Sequence, residues 1–357
     1  MFFTTTLLQW FSENGRSLPW RETRDPYAIW LSEVILQQTR IEQGRPYWER
    51  FMRRWPTVEA LAATTEDDVL REWQGLGYYS RARNLHTAAR QIVANGGFPT
   101  TYEEIRKLKG VGDYTAAAIG SFAFGLPVAV VDGNVYRVLS RYFGIDTPIN
   151  TTQGKKEFTA LAQELHSTPT NAVVNSKLFT HHSSLLNSAL MDFGATQCTP
   201  QSPRCTDCPL METCSAFREQ RVSELPVKQK KLKVKERQLT YIYIRYQGET
   251  AIRRRPAGDI WQGLYEPLLI DNGQWTMDNW IAQHHYQSSI VNCQLVRKKQ
   301  KHILTHRIII ADFYLWQPDE RPQLPDGYFW IKEQDIDRYA VPRLVEILLE
   351  ALPSALP

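Results

Sequence analysis

The sequence predicts a multidomain protein, an all-α region over residues 1–225 followed by a smaller α+β domain, and three observations carry that reading. Apolar residues recur at helical spacing through the first 220 positions. Four cysteines crowd together at Cys198, Cys205, Cys208 and Cys214. After a basic run at 226–238, the texture turns to β-branched and aromatic residues. A chain of 357 residues, 43% of them hydrophobic, can bury two or three separate cores.

Helical periodicity is clearest in Tyr27–Gln43, Val69–Gly75, Ala82–Ala94, Tyr102–Leu108, Tyr114–Phe124, Asn134–Tyr142 and Lys155–Leu165, with Gly, Pro or Asn between them. The apolar run Ala116–Val131 is broken by Pro127 and is too short to cross a bilayer; it reads as a buried helix ending near Gly125, then a turn. The start, MFFTTTLLQWF, has no basic stretch ahead of its apolar residues, so secretion is not implied and a cytoplasmic protein is expected. The run PVKQKKLKVKERQ lacks apolar periodicity and reads as an exposed linker. Beyond it, Leu239–Tyr246, His302–Trp316 and Tyr328–Ile331 read as strands, and Trp275–His285 and Val341–Leu352 as helices. No internal repeat is present, which sets solenoids aside. A net charge of +4 permits an anionic partner without demanding one.

The cysteines stand as C-x6-C-x2-C-x5-C. Disulfides would need an oxidising compartment, and Cys205 and Cys208 are too near in sequence to bond each other well, so ligation of a metal by thiolates is the better reading. Zinc sites favour paired C-x2-C knuckles and only one is present, which turns the reading toward an iron–sulfur cluster. Cys293 lies outside the group.

Three segments could carry chemistry. In LKGVGDYTAAAI, Gly110, Val111 and Gly112 join two helices in a hairpin whose bare backbone N–H groups can face a phosphate, directly or through a bound cation; an ordinary glycine turn is the plain alternative. In PVAVVDGNVYRVLSR, a strand-like run delivers Asp132 to a helix start. Capping would explain Asp132, but the approach is too apolar for a surface loop, which favours a carboxylate at the rim of a cleft. In DPYAIWLSEVILQQTR, Glu33 lies among Ile29, Trp30, Val34, Ile35 and Leu36, where its acid form is favoured near neutral pH; a satisfied polar residue on one helix face is the alternative.

Together with LPWR (Leu18–Arg21), GLGYYSRARNLH (Gly75–His86), MDFGA (Met191–Ala195) and the cysteine loop, these segments resemble the adenine DNA glycosylases of the MutY family, within the helix-hairpin-helix DNA glycosylase superfamily. The resemblance spans nearly the whole chain. It implies a six-helix subdomain at about 20–127, an iron–sulfur subdomain formed by 1–19 and 128–225, a linker at 226–238, and a MutT-like (Nudix-like) domain at 239–357. The implied activity is hydrolysis of the N-glycosidic bond of adenine opposite 8-oxoguanine or guanine in double-stranded DNA, by a monomeric bacterial base excision repair enzyme. Two other readings stand beside it. A non-catalytic damage-binding protein is opposed by the presence of both acids, and an endonuclease III-like glycosylase/lyase is opposed by Tyr114, which stands where those relatives carry a nucleophilic lysine.

Residue by residue, the resemblance implies that Glu33 protonates the adenine and Asp132 stabilises the sugar cation, supported by Tyr114 and Asn134. It places Arg16, Trp20, Arg21, Trp30, Leu36 and Ser188 around the adenine, and Gln38 and Tyr78 as wedges in the base stack. Leu304, Thr305 and His306 fall in a lesion-reading loop within ILTHR. The four cysteines would hold one [4Fe-4S] cluster, with Arg204, Arg218, Lys177 and Arg221 meeting phosphates, and the hairpin would take a monovalent cation. Three departures stand out: Lys109 replaces the hairpin's usual proline, Ser188 stands where the family places Gln or Glu, and Thr168–Leu186 is longer than usual. The acidic metal-binding signature of Nudix enzymes is missing, so the second domain should recognise and not hydrolyse.

Overall fold

The computed structural model describes residues 2–167, 182–229, 235–271, 293–304 and 307–353. It divides into two compact units, Met1–Ala63 with Thr87–Lys230, and Thr64–His86 with Lys231–Pro357.

The first unit is helical. Its chain runs through α1 (Phe2–Asn14), α2 (Pro26–Ile35), α3 (Ile41–Arg54) and α4 (Val58–Ala63). After α5 (Glu66–Glu72), which belongs to the second unit, come α6 (Ser80–Ala94), α7 (Tyr102–Arg106), α8 (Asp113–Phe124), α9 (Gly133–Phe143), α10 (Thr152–Ser167), α11 (His182–Asp192) and α12 (Ser215–Arg218). Asp25 caps α2, its Oδ1 accepting from the Tyr27 N–H at 3.0 Å, and Pro26 opens the helix without losing a needed donor. The periodicity had suggested one helix from Tyr27 to Gln43. Instead α2 ends at Ile35 with Leu36 as its C-cap, Gln38 takes a left-handed φ of 58°, and a separate helix, α3, starts at Ile41.

Nine residues of α2, Tyr27 through Ile35, are buried. The helix packs against α8, whose Ala116, Ala117, Ala118 and Gly120 keep its surface low enough for close approach. A left-handed Gly125 ends α8, as its sequence position suggested. A second core joins α1, α9, α10 and α11 through Leu7, Leu8, Val138, Leu139, Phe158, Leu186 and Leu190. Helix α1 was not among the expected segments, yet burying its five large apolar side chains, Phe3, Leu7, Leu8, Trp10 and Phe11, contributes on the order of 1.5–3 kcal/mol apiece.

In the second unit, β1 (Lys235–Ile244), β2 (Glu249–Arg254), β3 (Tyr265–Glu266), β4 (Leu268–Asp271), β5 (Cys293–Ile303), β6 (Arg307–Trp316) and β7 (Tyr328–Lys332) form two sheets, ordered β4-β1-β6-β5 and β3-β2-β7. Strands β1 and β6 run parallel, with Tyr241 opposite Phe313, and α13 (Arg343–Ala351) adds Leu344 and Leu348 to their core. The α+β reading holds. Two boundaries moved: β1 begins inside the basic run taken for linker, and His302–Trp316 holds the end of β5 and the whole of β6. Val227 and Gln229, also in that run, are tied to Ile149 and Asn150. The segment Thr64–His86, read with the helical region, packs with the second unit because Arg254 pairs with Glu66 and Asp67 and Arg83 bonds the Gln262 carbonyl. The expected helix Trp275–His285 lies outside the described residues. Among those residues, no helix is long and apolar enough to cross a membrane.

Candidate active site

Asp132 occupies the N-cap of α9. Its Oδ1 accepts the N–H groups of Asn134 and Val135, both at 2.8 Å, and its Oδ2 accepts from the Asn134 amide at 2.7 Å. Burial pushes its carboxyl above the ordinary value, while those hydrogen bonds and the nearby Arg137 pull the other way. Glu33 is only 9% exposed. Burial raises its pKa from 4.5 to about 7; a hydrogen bond from Tyr114 and the charge of Arg21 lower it, and the negative charge of Asp132 raises it. Tyr114, itself driven well above its usual value by burial and by Glu33, stays a neutral O–H donor.

Glu33, Tyr114, Asp132 and Asn134 all line one cavity of about 400 Å³, large enough for a small planar ligand. Arg16, Trp20, Arg21 and Leu36 are on the same wall. Trp30 and Ser188 are not: both are fully buried, Trp30 against Phe98 at a ring distance of 5.6 Å and Ser188 within α11. With α2 buried on every side, its apolar pattern gave no means of choosing the face that meets the cavity.

The two arginines converge on a residue that local patterning did not single out. Asp192, with a fully buried side chain, accepts from Arg16 at 2.5 Å and 2.9 Å and from Arg21 at 2.8 Å and 2.9 Å, and also takes the Arg16 backbone N–H. Burial would raise its pKa, but the hydrogen bonds and charges of Arg21 and Arg16 hold it below the usual carboxylate value. This clasp holds both guanidinium groups in fixed positions on the cavity lining.

Behind Asp132, Arg137 joins the cavity to the cysteine loop. Its guanidinium donates to the Asn134 side-chain oxygen at 2.8 Å, the Gly194 carbonyl at 2.6 Å and the Cys198 carbonyl at 2.7 Å. Gly194 belongs to a π-helical turn, Phe193–Gln197, and a Cβ there would lie 2.6 Å from the Asn134 Cβ. Neither Arg137 nor Gly194 was marked from sequence, although both stand in segments that were.

Cys198, Cys205, Cys208 and Cys214 line one small cavity together with Arg141, whose guanidinium lies 3.4 Å from the Cys198 sulfur. Backbone N–H groups of Leu210 bond Cys208, and those of Phe217 and Ala216 bond Cys214. Burial raises Cys208 to about 11. Among the described residues, no three His, Cys, Asp or Glu side chains are arranged to hold a single metal ion. The four convergent thiols with N–H and guanidinium donors aimed at sulfur nonetheless fit a group bound by thiolates. The phosphate role expected of Arg221 meets a competing arrangement, since that side chain pairs with Asp146, Glu219 and Glu224.

Gln38 and Tyr78 are both exposed and both adopt left-handed backbone, with φ of 58° and 47°. Such conformations are strained for residues with a Cβ and concentrate where function requires them. At the hairpin, Gly110 has φ 78° and Gly112 is the N-cap position of α8, with nothing within 4 Å of where a Cβ would stand. Leu304 is half-buried against the core of the second unit; Thr305 and His306, like Lys177, lie outside the described residues.

Comparison with known proteins places these features in context. Residues 31–165 match the family described as HhH-GPD superfamily base excision DNA repair protein, and residues 240–351 match the NUDIX domain. An adenine DNA glycosylase of Buchnera aphidicola subsp. Baizongia pistaciae is 33% identical over 311 residues, covering 86% of this chain and 83% of that protein. The Homo sapiens adenine DNA glycosylase is 40% identical over 225 residues, covering 60% and 39%. Among solved structures, a thermostable thymine-DNA glycosylase superposes with a TM-score of 0.53 at 31% identity, covering 61% of this chain and 95% of the other.

Proposed function

The chain belongs to the adenine DNA glycosylase family of base excision repair enzymes, and on that premise we propose that it hydrolyses the N-glycosidic bond of adenine opposite 8-oxoguanine or guanine in duplex DNA. The observation that carries this reading is the meeting of Glu33, with a pKa of about 7, and Asp132 on one cavity.

Adenine is a poor leaving group until protonated, and its departure leaves a sugar with oxocarbenium character. The protonated Glu33, oriented by Tyr114, donates to the adenine ring. Asp132 faces the sugar as an anion; at an effective dielectric of ~20, a unit charge ~4 Å from the cation stabilises it by roughly 4 kcal/mol. Asn134 fixes the Asp132 carboxylate, and the Glu33 carboxylate then takes a proton from the incoming water. Reaching the base requires extruding it from the duplex, at a cost of a few kcal/mol, with Gln38 and Tyr78 filling the gap.

The remaining assignments belong to the same reading. Leu304, Thr305 and His306 read the base opposite adenine, and Gly110, Val111 and Gly112 meet a phosphate directly or through a monovalent cation. Cys198, Cys205, Cys208 and Cys214 hold one [4Fe-4S] cluster that orders the loop they share. Such a cluster is kept where thiols stay reduced, which suits a monomeric enzyme working on the chromosome in the cytoplasm. The test is a duplex carrying adenine opposite 8-oxoguanine, incubated with the enzyme and then treated with or without hot alkali. Strand cleavage that depends on alkali is expected. Cleavage without alkali would mark a lyase, and no cleavage would leave only binding.

A further inference from the structure

The run Pro127–Val130, which leads into Asp132, is held from two sides by side-chain amides. From α10, Gln163 accepts the Ala129 N–H at 3.0 Å and donates to the Pro127 carbonyl at 2.8 Å. From α11, the fully buried Asn187 accepts the Val130 N–H at 2.9 Å and donates to the Val128 carbonyl at 2.9 Å. Successive residues of the run thus bond alternately to Gln163 and to Asn187, as residues of a strand bond alternately to its two neighbours. Asn187 is fixed in turn by donating to the Ser121 hydroxyl of α8 at 2.9 Å.

We propose that Gln163 and Asn187 are positioning residues that set where the Asp132 carboxylate stands. An extended backbone without a ladder partner can slide and twist, and Asp132 lies only two residues beyond Val130. Its other supports, the N–H groups of α9, fix the carboxylate relative to its own helix but not that helix start relative to Glu33 on α2. The amides supply that second reference by tying the run to α10 and α11. A displacement of about 1 Å at a reacting group can cost on the order of a hundredfold in rate, so loosening one amide should be visible in chemistry before it is visible in folding.

The inference rests on Asp132 being the charge that faces the sugar, and the experiment separates the two. Gln163, partly exposed, is the gentler site. Single-turnover excision is measured at saturating DNA for the full chain, for Gln163→Met, Gln163→Glu and Asn187→Asp, with Asp132→Asn alongside. Gln163→Met should excise about tenfold more slowly with DNA affinity unchanged. Gln163→Glu keeps the acceptor and regains the donor only when protonated, so its rate relative to the parent should rise as pH falls, a signature that general loosening of the fold would not give. Asn187→Asp should be slower still; if it fails to fold, the Gln163 pair decides. Parent-like rates in both Gln163 variants, beside an inactive Asp132→Asn, overturn this inference alone. An active Asp132→Asn overturns the catalytic reading with it.

Discussion

Arg137 holds the Asn134 side-chain oxygen at 2.8 Å while the same guanidinium holds the Cys198 carbonyl at 2.7 Å. The side chain that holds the Asp132 carboxylate and the first cysteine of the loop are therefore two hydrogen bonds apart through a single planar cation. Replacing Arg137 by Met keeps much of the apolar stem and removes every donor. Excision should fall by at least tenfold while near-native helicity remains, measured by single-turnover kinetics beside circular dichroism; a variant as fast as the parent would refute the linkage.

Gly194 offers a second way to disturb the same point. An alanine methyl there would lie 2.6 Å from the Asn134 Cβ and 2.8 Å from its carbonyl oxygen, too close for either atom to stay in place. Gly194→Ala is expected to lower the excision rate and the melting temperature together, because the clash falls on backbone and cannot be relieved by a rotamer change. Melting curves and rate constants for this one variant suffice to check it.

For Glu33, rising pH acts in the same direction on rate and on stability, lowering both. The proton donor is lost as pH rises through about 7, so excision should decline above neutrality, by up to tenfold per unit. Stability follows from the raised pKa. Below the unfolded value of 4.5 both states are protonated and nothing is lost; between 4.5 and about 7 the unfolded chain releases the proton and the folded one keeps it, so stability falls with rising pH and levels off above. Glu33→Gln should then abolish excision yet melt at a higher temperature than the parent at pH 8, with the advantage fading toward pH 5.

Removing the charge of Asp192 leaves Arg16 and Arg21 without their shared partner. Breaking a buried ion pair from one side typically costs about 3–5 kcal/mol, so Asp192→Asn should show a lowered denaturation midpoint. Because the clasp forms one wall of the cavity, the Michaelis constant for adenine-containing duplex should rise as well. An unchanged midpoint would count against the pairing.

The division into a helical region and an α+β domain was legible because helical spacing and β-branched texture are local properties. What escaped were arrangements set by distant partners. Arg16 and Asp192 are 176 positions apart, and nothing near either predicts the pairing. The break after α2 escaped for another reason: the apolar pattern continues through Leu36, and only the left-handed Gln38 separates α2 from α3. Trp30 shows the limit from inside a helix, since a segment buried on nearly all sides carries no stripe to say which side chains meet the cavity. Asp132 was found because an acid at the end of an apolar approach is locally unusual, whereas Gln163 and Asn187 are ordinary amides until the backbone they grip is seen.

Asp132 starts α9 and, on the proposed mechanism, also supplies the anion that faces the sugar, a double duty with a consequence for inheritance. Asparagine caps a helix about as well as aspartate, so a change to asparagine at this position removes the charge and spares the scaffold. Such a mutant chain would persist in the cell as a folded but idle copy, competing with working copies for the same sites instead of being cleared as debris. Its harm would then scale with its abundance.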